Sequence, residues 1–267
     1  MPANKTRLMA VANEKGGVGK TAMVVNLGAA MAITGKKVLI VDMDPQHNAT
    51  SGLGVKVNDD MVNVYDLISE PADHSSLDAI VETSWENIHL LPSHPDLSGA
   101  EVELVEEDGR ENRLKDAVAD VINKYDFVII DTPPSLSLLT INVFALAREV
   151  LVPCQTHPYA YGALEALFDT IEAVKEDINP DIAVVGIVPT FFDGRTRVGR
   201  DILERLQSDK RYRPYTFATP IRVNTDIAAS SDAGKPVVFY KKSCNGTQDY
   251  MAVAAELARR NGEKKKK

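Results

Sequence analysis

The residues with the clearest chemistry lie near the start of the chain, in Asn13-Glu14-Lys15-Gly16-Gly17-Val18-Gly19-Lys20-Thr21. Glycines placed before a helix let backbone N–H groups turn inward around an anion, and the helix N-terminus adds partial positive charge. Gly16, Gly17, Val18 and Gly19 therefore form a phosphate cradle. From it Lys20 can reach the β- and γ-phosphates of a nucleotide, and the Thr21 hydroxyl can ligate Mg²⁺. The loop departs from the pattern G-x-x-x-x-G-K-[ST]: Glu14 holds the first glycine place, and Lys15 is a second lysine. With Lys20 serving its own subunit's phosphates, Lys15 can project outward to a phosphate held by a second subunit. That suggests a dimer with nucleotide at its interface.

Three carboxylates accompany this loop. The expected second strand, Lys37 to Met43, runs into Asp42-Met43-Asp44-Pro45-Gln46. Alternate strand positions point the same way, so Asp42 and Asp44 share a side near the loop, and Pro45 ends the strand. A carboxylate there orients water or helps hold a metal. The apolar run Phe127 to Ile130 ends in Asp131-Thr132-Pro133-Pro134, the arrangement in which a carboxylate holds Mg²⁺ through its water shell. Each aspartate alone is an ordinary strand end or turn residue. Their combination with the loop makes a site.

The elements that must position these groups are legible as short apolar runs: Leu8 to Ala12, Val38 to Val41, Ile88 to Leu91, Phe127 to Ile130, Val150 to Val152, Ile182 to Val188 and, more weakly, Tyr215 to Ala218. Runs without polar alternation suit strands buried on both faces. Alternation with helical segments predicts a doubly wound α/β fold with a mostly parallel sheet flanked by helices, its ligands at the carboxyl ends of the strands. The 267 residues read as one domain over 1–262, with a frayed lysine-rich tail at 263–267. A composition of 44% hydrophobic and 25% charged residues argues against wholesale disorder. The net charge of -8 opposes diffuse attraction to nucleic acid or anionic lipid, so such binding needs a local patch. Two cysteines, Cys154 and Cys244, without CxxC spacing, and no apolar leader or membrane-span segment, predict a cytoplasmic protein.

Lys15 to Thr21 resembles the deviant Walker A motif KGGxGKT of the ParA/MinD group of P-loop ATPases. VDMDPQ is similar to that group's DxDPQ, and Asp131 to Pro134 to its DxPP. Asp96 to Leu104 resembles DLxGAExEL of the ParA/Soj partition branch, and Gly186 to Thr190 with Asp193 to Thr196 resembles its GIxxTxxDxRT. The likeness runs from about residue 7 to 260. It implies ATP and Mg²⁺ as cofactors, a homodimer formed on ATP binding, Lys15 acting across that dimer, Asp44 positioning the attacking water, and a magnesium-shell or switch role for Asp42. Pro189, Thr190 and the turn around Pro220 resemble elements that contact the adenine base.

The same resemblance implies that the ATP dimer binds DNA nonspecifically, placing it on the nucleoid, and that a ParB-like centromere-binding protein stimulates hydrolysis. Arg195, Arg197, Arg200, Arg205, Lys210, Arg211 and Arg213 form the densest basic stretch, diluted by Asp193, Asp201, Glu204 and Asp209. Val223 and Asp226 stand where the family carries two arginines, with Arg222 offset by one residue, and His47 stands where the family's DPQGN has glycine. A ParA-like ATPase positioning a protein cargo, or a MinD-like membrane-associated one, remains an alternative. The apolar positions of the last expected helix, Thr247 to Arg260, suit packing on the domain, so no stable membrane association is expected.

Overall fold

In the computed structural model, which describes residues 6–264, the chain forms a seven-stranded sheet. Its strands are β1 (Arg7–Val11), β2 (Val38–Asp42), β3 (Val81–Glu82), β4 (Ile88–Leu91), β5 (Phe127–Asp131), β6 (Glu149–Gln155) and β7 (Ala183–Thr190). Their spatial order is β3-β4-β2-β5-β1-β6-β7, parallel throughout except for the edge pair β3 and β4. The connections carry α1 (Lys20–Ile33), α2 (Asn48–Gly52), α3 (Val64–Ser69), α4 (Ser76–Ala79), α5 (Leu97–Glu103), α6 (Arg113–Val118), α7 (Leu138–Leu146), α8 (Ala160–Asp177) and α9 (Arg197–Ser208). The chain then closes with α10 (Thr225–Asp232), α11 (Val237–Tyr240) and α12 (Asn245–Lys264). This is the doubly wound α/β architecture expected from the apolar runs.

Successive strand residues feed opposite layers. Leu8, Ala10, Leu39, Val41, Val128 and Ile130 pack with residues of α3 and α5 to α8. Met9, Val11, Val38, Ile40, Phe127 and Ile129 pack with α1, α11 and α12. Full burial of each Val, Leu or Ile contributes about 1.5–3 kcal/mol. Because both faces are covered, the runs show no polar alternation. Register then decides the chemistry: Asp42 pairs with Asp131, and Asp131 with Val11 at the mouth of the glycine loop.

Three elements differ from the sequence expectation. The two-residue edge strand β3 was too short to register as a run. The segment Tyr215 to Ala218 is not a strand: it makes one bridge, Thr216 to Ile187, after which Ala218 N–H turns to the Glu256 carboxylate at 3.1 Å. The last helix starts at Asn245 and runs to Lys264, past the expected Arg260; residues 265–267 of the expected lysine tail lie outside the described residues.

Phe217 explains the departure at Tyr215 to Ala218. Its ring is fully buried over Gly186 of β7, with the Arg260 guanidinium carbon 4.0 Å from the ring centre. A Cβ on Gly186 would overlap that ring. Gly186→Ala should therefore destabilise the fold by about 1–3 kcal/mol through overpacking, read in urea unfolding as a lower midpoint with unchanged slope.

Candidate active site

The glycine loop joins β1 to α1 and is held from three sides. Asn13 Nδ2 donates to Pro153 O of β6 at 2.8 Å, and Asn13 Oδ1 accepts from Lys15 N at 2.9 Å. Thr190, the last residue of β7, donates its hydroxyl to Val18 O at 2.9 Å. Glu14, the residue that breaks the standard pattern, accepts from the Thr170 hydroxyl of α8 at 3.1 Å. Gly17 (φ 71°) and Gly19 (φ 89°) adopt left-handed backbone, which is why glycine is needed there. Gly16 and Gly17 are exposed, and Gly19 caps α1 without a side-chain hydrogen bond or an acidic residue in the first turn. The helix end is thus an open anion site.

Lys20 is buried and curls back over the loop, donating to Asn13 O at 3.0 Å and reaching Lys15 O at 3.5 Å. Burial lowers its pKa, while Asp131 and Asp44 act in the opposite direction. Lys15 is half-buried, and its charge is felt by the Cys154 thiol, which burial pushes up to about 12.

The carboxylates occupy three distinct environments. Asp42 is fully buried and its oxygens are engaged: Oδ2 accepts from Thr50 N at 2.8 Å and Thr50 Oγ1 at 2.7 Å, and Oδ1 from Asp44 N at 3.2 Å. Burial raises its pKa to about 6, against the pull of these donors. Asp131 is equally buried, yet neither oxygen has a hydrogen-bond partner among the described residues. Burial and then the Asp42 charge push its carboxyl well above the usual range; the Thr21 hydroxyl and Lys20 oppose this without closing a hydrogen bond of good geometry. Asp44 lies just past β2, 8% exposed, its Oδ1 accepting from Gln46 N at 3.0 Å. The Asp42 oxygens are thus engaged within the fold, whereas those of Asp131 keep free acceptor capacity. His47, at φ 44°, shows why glycine suits that position.

Thr190 also lines a mostly apolar cavity of about 390 Å³ beside Gly19, together with Phe191, Ile221, Asn224 and Tyr250. Pro189 and Pro220 do not line it. Pro189 is buried, and its carbonyl accepts from Ile221 N at 2.8 Å. Sequence reasoning missed Phe191, which is 45% exposed at φ 51°, a strained conformation for an aromatic residue. No sequence pattern marks it.

The expected basic residues lie apart from this cavity or already have partners. Arg195 chelates Asp193 at 2.9 and 2.8 Å, Arg197 pairs with Asp201 at 3.4 Å, and Arg200 donates to Gly194 O at 2.7 Å. Arg222 lines the cavity but clamps the buried Asp249 at 2.6 Å. Asp226, where the family has arginine, binds Lys241 at 2.9 Å.

A carboxyl whose folded pKa is raised keeps its proton where the unfolded chain has lost it, so stability falls as pH rises through that window. Asp131→Asn removes the titrating carboxyl. The nucleotide-free variant should be more stable than wild type by on the order of 1 kcal/mol at about pH 8, or about 2–4 °C in Tm, with the gain vanishing towards about pH 4. Thermal unfolding across that range measures it.

The profile of a family described as an AAA domain matches residues 6–184. The sporulation initiation inhibitor protein Soj of Bacillus subtilis strain 168 is 41% identical over 252 residues, covering 94% of this chain and 98% of its own. The chromosome partitioning protein ParA of Myxococcus xanthus strain DK1622 is 38% identical over 258 residues, covering 97% and 90%. Among solved structures, cobyrinic acid a,c-diamide synthase from Mycobacterium smegmatis with bound ATP analogue and magnesium shares the fold with a TM-score of 0.82 at 36% identity over 95% of each chain. Identity at this level along nearly the whole chain, with the two-lysine glycine loop at the sheet's carboxyl edge, shows that the chain belongs to the ParA/Soj family of partition proteins within the ParA/MinD group of P-loop ATPases.

Proposed function

We propose that this protein is a Mg²⁺-dependent ATPase switch for DNA partition, which dimerises on ATP, binds DNA nonspecifically as the dimer and is stimulated by a ParB-like centromere-binding partner. The observation that carries the ATPase reading is the unpartnered, fully buried carboxylate of Asp131 beside Thr21 and Lys20, under an uncapped helix N-terminus. Magnesium fits this donor set. Mg²⁺ is usually held by one or two carboxylates with phosphate oxygens and water completing its shell. Thr21 and Asp131 would hold it, and when bound it supplies charge neutralisation at the phosphates. Lys20 exchanges its two loop carbonyls for phosphate oxygens, Thr190 shapes the base cavity, and Asp44 orients the attacking water. Catalysis is then positioning and electrostatics.

Dimerisation is supported by apolar side chains around the loop. Leu136 (51% exposed), Tyr159 (77%) and Phe191 (45%) follow the carboxyl ends of β5, β6 and β7, the strands that flank β1 and its loop on either side. Such a rim suits an interface that closes over nucleotide. Charge distribution supports a DNA face despite the net -8. Residues 56–126 hold 18 of the 38 acidic residues but 5 of the 30 basic ones, leaving the remainder of the chain net positive. Tyr250, Val253, Ala254 and Leu257 of α12 are buried against the core rather than available to lipid, which favours the nucleoid over a membrane reading. Among the described residues no helix is long and apolar enough to cross a membrane.

Two variants separate the roles of the acid and the second lysine. Asp44→Ala should retain ATP, accumulate as dimer and lose turnover by about 10²-fold or more; Lys15→Gln should bind ATP yet remain monomeric and hydrolyse little. Steady-state hydrolysis with light scattering reads both, and normal turnover in either removes that residue's role. The wider reading is tested by DNA binding of the purified protein with ADP, ATP and a slowly hydrolysed analogue across a salt titration. We expect ATP-dependent, sequence-indifferent binding whose affinity falls steeply with salt. No binding together with recruitment to liposomes would overturn it.

A further inference from the structure

Asp44 is held mainly through its backbone. Its N–H donates to Asp42 Oδ1 at 3.2 Å, and its carbonyl accepts from the Ser93 hydroxyl and from His47 N, both at 2.8 Å. Ser93 comes from a different part of the sheet, two residues beyond the end of β4, and is fully buried. Its own N–H donates to Thr50 Oγ1 at 3.2 Å, and that hydroxyl donates to Asp42 Oδ2 at 2.7 Å. Asp42, Asp44, Ser93 and Thr50 thus close a ring of hydrogen bonds across β2, α2 and the segment after β4. None of its members is more than 8% exposed.

On the reading of Asp44 as the residue that orients the attacking water, we propose that Ser93 is a positioning residue for hydrolysis. Among the described residues the one hydrogen bond to the Asp44 carboxylate comes from Gln46 N at 3.0 Å. The carboxylate's placement therefore depends on where its main chain is held. Ser93 fixes that main chain from the carbonyl side and, through Thr50, steadies the Asp42 carboxylate that fixes it from the N–H side. Among the described residues no hydrogen bond joins the ring to the glycine loop, and none of its members lines the cavity beside Gly19. Loosening it should move the water-orienting group while leaving nucleotide binding intact, and sub-ångström placement matters more to turnover than to affinity.

The test is Ser93→Ala, made in the wild-type and Asp44→Ala backgrounds, with turnover normalised to nucleotide-binding sites. In the wild-type background kcat should fall about tenfold, the effect of losing one ordinary hydrogen bond, while KM and ATP affinity change less than about twofold. In the Asp44→Ala background the same substitution should have no further effect, because the carboxylate it positions is gone. Ser93→Thr, which keeps the hydroxyl, should restore most of kcat. If Ser93→Ala does not bind nucleotide, Ser93→Cys replaces it, keeping the size with a weak S–H donor. Unchanged kcat, or an equal loss in both backgrounds, overturns the proposal. Absence of ATP turnover in wild-type protein would instead overturn the ATPase reading on which it rests.

Discussion

Two carboxylates that end adjacent parallel strands are buried side by side. Asp42 and Asp131 are in register on β2 and β5, both fully buried, on strands spaced about 4.8 Å apart. Helices cover both faces of the sheet, so solvent cannot screen the pair. Burial raises both carboxyls, and the Asp42 charge raises Asp131 further, so the pair needs compensation. Much of the surrounding architecture supplies it. Thr50 and Asp44 bring three N–H and O–H donors to Asp42, and Lys20 brings a buried ammonium. Asp131 receives no such donors.

The unequal division makes the centre useful. A carboxylate satisfied by its own fold has little to offer a cation, whereas an unsatisfied one has paid the desolvation cost before any ligand arrives. The glycine loop starts one strand away, where Val11 stands in register with Asp131. Anchors from β6, β7 and α8 hold the loop in place, so its exposed N–H groups stand ready around an anion. Cation acceptor and anion cradle meet at the carboxyl edge of the sheet, the usual binding edge of open parallel sheets.

The surface follows a different logic. The arginines after β7 mostly satisfy acidic or carbonyl partners within the chain, and Arg222 is tied to Asp249. Their spacing in sequence resembles a nucleic-acid stripe, but side-chain partners lower the charge each presents. The acidic surplus lies largely in residues 56–126, between β2 and β5. Net charge alone therefore misdescribes the molecule: an acidic sector coexists with a weakly basic remainder.

The chain's one-dimensional pattern determined the strands that are buried on both faces, the phosphate loop and its three aspartates, because contiguous apolar runs, glycines and charges report directly on local backbone and chemistry. It could not show β3, which is two residues long, or that Phe217 fills the space over Gly186 and turns Tyr215 to Ala218 away from the sheet. Nor could it rank Asp42 against Asp131, since both read as aspartate at a strand end. Tertiary structure separated them by closing hydrogen bonds from Thr50 on one, while Thr21 and Lys20 stand beside the other without closing any. It also showed that Thr190 lines a cavity with Phe191 and Ile221, and it tied Ser93 to Asp44 across 49 positions of sequence. Hydrogen-bond partners and cavity walls are set by the register of non-adjacent strands, and a short serine or threonine carries no mark in sequence of what it will face.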